Sequence, residues 1–106
     1  MNIDFAKGGG LVPAIVQEHD SGEVLMLGYM NAEALTQTQD TGWMHFYSRS
    51  KERLWKKGET SGNQLKVRSM FVDCDRDTLL FRVDVVGTGV CHTGNYSCFF
   101  TPGEDL

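Results

Sequence analysis

Only one stretch of this 106-residue chain carries a full helix signal, and it is short. Asn31 is a good N-cap, Ala32-Glu33-Ala34-Leu35 are strong helix formers, and Gly42 supplies a stop after about Asp40. The other apolar runs read as strands. Leu11 to Gln17 and Glu23 to Tyr29 flank the polar turn Glu18-His19-Asp20-Ser21-Gly22 and predict a β-hairpin. Pro13 marks an edge or an irregular start to its first strand. Trp43 to Arg49 is aromatic-rich and strand-like, and Leu65 to Val72 and Thr78 to Val86 alternate as half-buried strands do. Ser50 to Asn63 reads as a long polar loop with a helical turn around Lys51 to Leu54. Gly87 to Asn95 is a Gly-rich loop before Phe99 and Phe100, and Thr101 to Leu106 is a frayed tail. The expected fold is mainly β (α+β), a single small domain over 1–106 with antiparallel strands and one helix. There is no repeat, low-complexity stretch or interdomain linker.

The composition is 41% hydrophobic and 23% charged, which suits a folded chain. A net charge of −4 argues against a general nucleic-acid binder. The first residues lack a basic region followed by an apolar run, and no apolar stretch would span a bilayer, so a cytoplasmic protein without a membrane partner is expected. Cytosolic thiols stay reduced, so the three cysteines read as ligands or nucleophiles rather than a disulfide framework.

Asp73-Cys74-Asp75-Arg76-Asp77, if extended, would project its three aspartates to one face and Cys74 to the other. Three clustered carboxylates invite a hard cation such as Mg²⁺, or form a solvated acidic face aided by Arg76. An EF-hand loop fails because Thr78 stands where that loop needs Gly. Cys91-His92-Thr93-Gly94-Asn95-Tyr96-Ser97-Cys98 places two thiols about a Gly-Asn turn, where both can meet one zinc ion, with Cys74 as a third ligand. Three protein ligands leave a position for water, as catalytic zinc sites do. His92 would either close the site or lie just outside it and move protons. The bland alternative is three buried apolar cysteines.

Half of the ten basic residues fall between Arg49 and Lys57. With the Ser, Thr and Gly around them, they can offer cations, hydroxyls and backbone N–H groups to phosphate. A solvated loop is the alternative. Trp55 in that loop either packs under the core or stacks on a base.

Three blocks together resemble the phosphoribosyl-AMP cyclohydrolase family of histidine-biosynthesis enzymes. They are Leu54-Trp55-Lys56-Lys57-Gly58-Glu59-Thr60-Ser61-Gly62-Asn63, then Asp73 to Asp77, then Cys91 to Phe99. Ser48-Arg49-Ser50 and Val24 to Asn31 are similar to the family as well, so the resemblance covers roughly Leu11 to Phe100. Lys51 stands where Arg is more usual, and Tyr47 where Trp or Phe is frequent. The resemblance implies hydrolytic opening of the adenine ring of 1-(5-phosphoribosyl)-AMP at the N1–C6 bond by zinc-bound water, in the single-function form. It implies an intertwined homodimer with one Zn²⁺ per subunit, held by Cys74 of one chain and Cys91 and Cys98 of the other, and Mg²⁺ on Asp73, Asp75 and Asp77.

On that reading His92 shuttles the proton, with Glu59 as its rival, since zinc deaminases use Glu for that task. Arg49, Ser50, Trp55, Lys57, Ser61, Gly62 and Asn63 are the expected substrate-binding residues. The rival functions are a non-catalytic zinc-stabilised binding module and a nucleotide deaminase. The latter is weakened by the missing His-x-Glu and Pro-Cys-x-x-Cys pattern.

Overall fold

The turn and cap residues of the first 42 positions act where they stand. In the computed structural model, which describes residues 2–105, strand β1 (Val12–Glu18) turns into β2 (Val24–Met30), and helix α1 (Ala32–Thr41) follows. The Ala34 N–H donates to Asn31 Oδ1 at 2.8 Å, and Gly42 ends the helix by donating its own N–H to the Thr38 carbonyl. Strand β3 (His45–Ser48) pairs with β4 (Arg53–Lys56) in a two-stranded sheet. Strands β5 (Gln64–Val72) and β6 (Leu79–Val86) form a hairpin and complete a four-stranded sheet of order β2-β1-β6-β5.

Three expectations change. First, the expected loop of Ser50 to Asn63 contains β4, and Lys51 to Leu54 leads through a turn into this strand rather than a helical turn. Register explains it: Phe46 stands opposite Trp55 and Tyr47 opposite Leu54, so the β3 partner recruits a segment whose own charges conceal it. Second, of the two readings of Pro13 the edge strand falls and the irregular start remains, since β1 is interior. Pro13 is tolerated because the ladder to β6 begins one residue later, with Ala14 opposite Leu79. Third, that β1–β6 pairing is parallel, while the others are antiparallel as expected. The tail forms a 3-10 turn at Gly103–Asp105, and Leu106 lies outside the described residues.

Alternation builds the core. Val12, Ala14 and Val16 of β1 and Leu79, Phe81 and Val83 of β6 are buried on one face, beneath α1 and the β3–β4 sheet. Thr38 is buried in α1 with its hydroxyl accepting from the His45 N–H at 2.9 Å, which ties the helix to β3. Gly28 of β2 lies under the Phe46 ring so closely that a Cβ there would sit 2.5 Å from a ring carbon. The opposite sheet face carries a cross-strand row, Leu27–Ile15–Leu80–Phe71, in which Leu27 is 43% and Phe71 47% exposed.

Candidate active site

Two loops far apart in sequence meet at one cleft. The first follows β4: Gly62 donates its N–H to the Gly58 carbonyl at 2.8 Å, closing a tight turn. Gly58 has φ 86°, and a Cβ there would lie 2.4 Å from the Asn63 carbonyl oxygen, so this turn requires glycine. The second follows β6 and carries the cysteines. The Cys91 N–H donates to the Asn95 carbonyl at 3.1 Å, and the Cys98 N–H donates to the Leu25 carbonyl of β2 at 2.8 Å. Buried Ser97 donates its hydroxyl to the Val24 carbonyl at 2.8 Å and fixes the loop to the sheet edge.

The loops are joined by Lys57, whose Nζ donates to the Val90 carbonyl at 2.6 Å. Between them opens a cleft of about 650 Å³ whose walls include Lys57, Glu59, Ser61, His92 and Cys98. Trp55 lines this cleft and an adjoining hollow of about 600 Å³, and packs against Phe46 with ring centroids 5.2 Å apart. It therefore both braces the core and faces open space. Arg49 and Ser50 line the hollow, where the Arg49 guanidinium lies 4.0 Å from the centre of the Tyr29 ring. Gly62 and Asn63 stand outside both linings. Asn63 Oδ1 accepts from the Thr88 N–H at 3.1 Å and so buttresses the cysteine loop.

The thiols of Cys91 and Cys98 lie close enough to influence each other and are pushed in opposite directions. The Thr93 hydroxyl, 3.0 Å from Cys91 Sγ, holds the Cys91 thiol below its ordinary pKa, and Lys57 adds to the effect. Partial desolvation pushes Cys98 up, as does its contact with Cys91. Two neighbouring soft donors suit zinc. Cys74 is not with them: among the described residues, the only group of three or more such donors within 4.8 Å of one another is Asp73, Asp75 and Asp77.

The segment bearing those aspartates is not extended. It is the loop of the β5–β6 hairpin, closed by Val72 opposite Leu79, and Arg76 takes φ 61° within it. Asp73 Oδ1 accepts from the N–H groups of Asp77 at 3.0 Å and Thr78 at 3.2 Å. The turn, rather than strand alternation, therefore gathers the carboxylates. Lys7 pairs with Asp77 at 2.8 Å and holds that carboxyl below the usual range. The Asp4 N–H donates to the Arg76 carbonyl at 2.7 Å, so residues 4–7 clasp the loop. All three carboxylates present oxygen donors, as a hard divalent cation requires.

A model of the phosphoribosyl-AMP cyclohydrolase family matches residues 26–100, which include both clefts, the aspartate loop and the cysteine loop. The chain belongs to the phosphoribosyl-AMP cyclohydrolase family. It is 55% identical to the phosphoribosyl-AMP cyclohydrolase of Solibacter usitatus over 100 residues, covering 94% of this chain and 79% of that one. It is 58% identical to that of Clostridium botulinum (strain 657) over 99 residues, covering 93% and 89%. The histidine biosynthesis bifunctional protein HisIE of Photobacterium profundum is 55% identical over 102 residues, 96% of this chain but 49% of that protein. No helix among the described residues is long and apolar enough to cross a membrane.

Residues that sequence reading missed are Lys7, Thr93 and Tyr96. Tyr96 donates its hydroxyl to the Glu18 carboxylate of the β1–β2 hairpin. Thr93 lies inside a recognised block, but nothing local marks its contact with sulfur.

Proposed function

We propose that this chain hydrolyses 1-(5-phosphoribosyl)-AMP, opening its adenine ring at the N1–C6 bond as a step of histidine biosynthesis. The observation that carries the reading is the convergence of His92, Cys98, Lys57 and Glu59 on one cleft, with Cys91 beside Cys98. Cys91 and Cys98 would hold a zinc ion together with Cys74. Because Cys74 lies apart from them within one chain, the third thiol would come from a second copy. The apolar row Leu27–Ile15–Leu80–Phe71, exposed at its two ends, is a surface that a second copy could cover. Zinc so bound would supply an activated water for attack at C6.

The chain's own groups supply the rest. His92 is exposed at the cleft wall, free to carry a proton from the attacking water toward the departing N1. Glu59 is less suited to this, because its carboxylate is engaged by Arg53, with one contact of 3.0 Å and a shorter one beside it. Lys51, Lys56 and Lys57 line the cleft and would bind a phosphate of the doubly phosphorylated substrate, with Ser61 as a hydroxyl donor. Trp55, Arg49 and Ser50 offer a stacking surface, a cation and a hydroxyl for the other end. Asp73, Asp75 and Asp77 would hold Mg²⁺.

The test is consumption of 1-(5-phosphoribosyl)-AMP by the purified protein supplied with zinc and magnesium. Ring-opened product without ammonia is expected, with loss of turnover on chelation. No turnover with both metals present would refute the proposal, and ammonia release would indicate deamination instead.

A further inference from the structure

Thr93 stands between two other side chains of the cysteine loop. Its hydroxyl donates to Cys91 Sγ at 3.0 Å and accepts from Asn95 Nδ2 at 2.9 Å. A threonine hydroxyl has a single proton, and the Asn95 amide, which can only donate through Nδ2, leaves that proton directed at sulfur. The backbone keeps the three residues in register, since the Gly94 N–H donates to the Cys91 carbonyl at 3.0 Å and the Cys91 N–H to the Asn95 carbonyl at 3.1 Å.

We propose that Thr93, oriented by Asn95, is a positioning residue that fixes the Cys91 sulfur and draws charge from it when Cys91 serves as a zinc ligand. The inference rests on the reading of Cys91 as such a ligand. Three thiolates around Zn²⁺ give a formal charge of 2 − 3 = −1, which weakens the metal as a Lewis acid. A hydrogen bond to one sulfur withdraws part of its donated charge and restores some of that acidity. It also holds the side chain in place before the metal arrives, as outer partners of metal ligands do.

The experiment compares wild type, Thr93→Val, Thr93→Ser, Asn95→Ala and Cys91→Ala as the full chain. Zinc affinity is read by chelator competition, and the sulfur-to-metal charge-transfer band by cobalt(II) substitution. Thr93→Val keeps the shape of the side chain but loses the proton. It is expected to weaken zinc binding about 10-fold and to move the band to lower energy, with Thr93→Ser restoring both. Asn95→Ala should move the band in the same direction. An unchanged band and affinity in Thr93→Val, or no rescue by Thr93→Ser, overturns the proposal while the ligand reading stands. If Cys91→Ala keeps the wild-type band and affinity, the ligand reading falls and the proposal with it.

Discussion

Lys57 Nζ donates to the carbonyl oxygen of Val90, 33 positions away, at 2.6 Å. This bond joins the turn after β4 to the loop that carries Cys91 and Cys98, so one ammonium sets the width of the cleft between them. It also places a positive charge near both thiols. Lys57→Met should therefore do two things at once. It leaves the Val90 carbonyl without its charged partner, costing about 1.5–3 kcal/mol, and it lets the two loops drift apart. Urea denaturation should report the first effect and a fall in turnover the second.

His92→Ala should cut turnover by about 10²–10⁴-fold, the usual worth of a positioned acid or base, while zinc content stays near that of wild type. Metal analysis of the purified variant, run beside the kinetics, decides the role. If zinc is lost in step with activity, His92 is a ligand and does not shuttle protons.

The aspartate loop separates two functions by position. Both are exposed, but Asp73 holds the hairpin turn by accepting from two N–H groups, whereas no such bond to Asp75 is found among the described residues. Asp73→Ala should lower stability by about 1 kcal/mol and weaken Mg²⁺ binding. Asp75→Ala should weaken Mg²⁺ binding alone. Calorimetric titration with Mg²⁺ and thermal melting of both variants test the distinction, which equal melting temperatures would contradict.

Gly28 has no room for a methyl group beneath the buried Phe46 ring. Gly28→Ala should destabilise the fold by about 1–3 kcal/mol, the range for overpacking a core. It should also tilt Phe46 and with it Trp55, the ring that borders both hollows. Denaturant melts and Trp fluorescence give the two readouts.

Tyr96 donates its hydroxyl to the Glu18 carboxylate, which pushes the phenol up from 10.0 to about 12. The protonated phenol is the form that the fold favours, so this contribution is fully present below pH 10.0 and is lost as pH rises from there toward 12. Phenolate absorbance should show one late-titrating tyrosine in wild type that is missing from Tyr96→Phe. The stability of Tyr96→Phe should correspondingly fall less steeply than that of wild type over this alkaline range.

Local signals determined much of this molecule. Asn31 and Gly42 bound the helix because a cap and a left-handed stop act on their immediate neighbours. The β1–β2 hairpin and the β5–β6 strands were legible for a similar reason: turn residues and period-two alternation are properties of short windows. The candidate donors were legible too, since Cys and Asp announce their chemistry wherever they stand. Tertiary structure decided what depends on a distant partner. Strand β4 exists because β3 lies beside it, and β1 is interior because β6 returns parallel to it. The aspartates meet through a hairpin turn with a left-handed Arg76 rather than along one strand face. Cys91 comes beside Cys98 while Cys74 stays apart, and Lys57 reaches Val90 only with both loops docked. Side-chain chemistry is written residue by residue, but hydrogen bonds and ligand sets require atoms a few ångströms apart, and for residues distant along the chain only the folded backbone brings them that close.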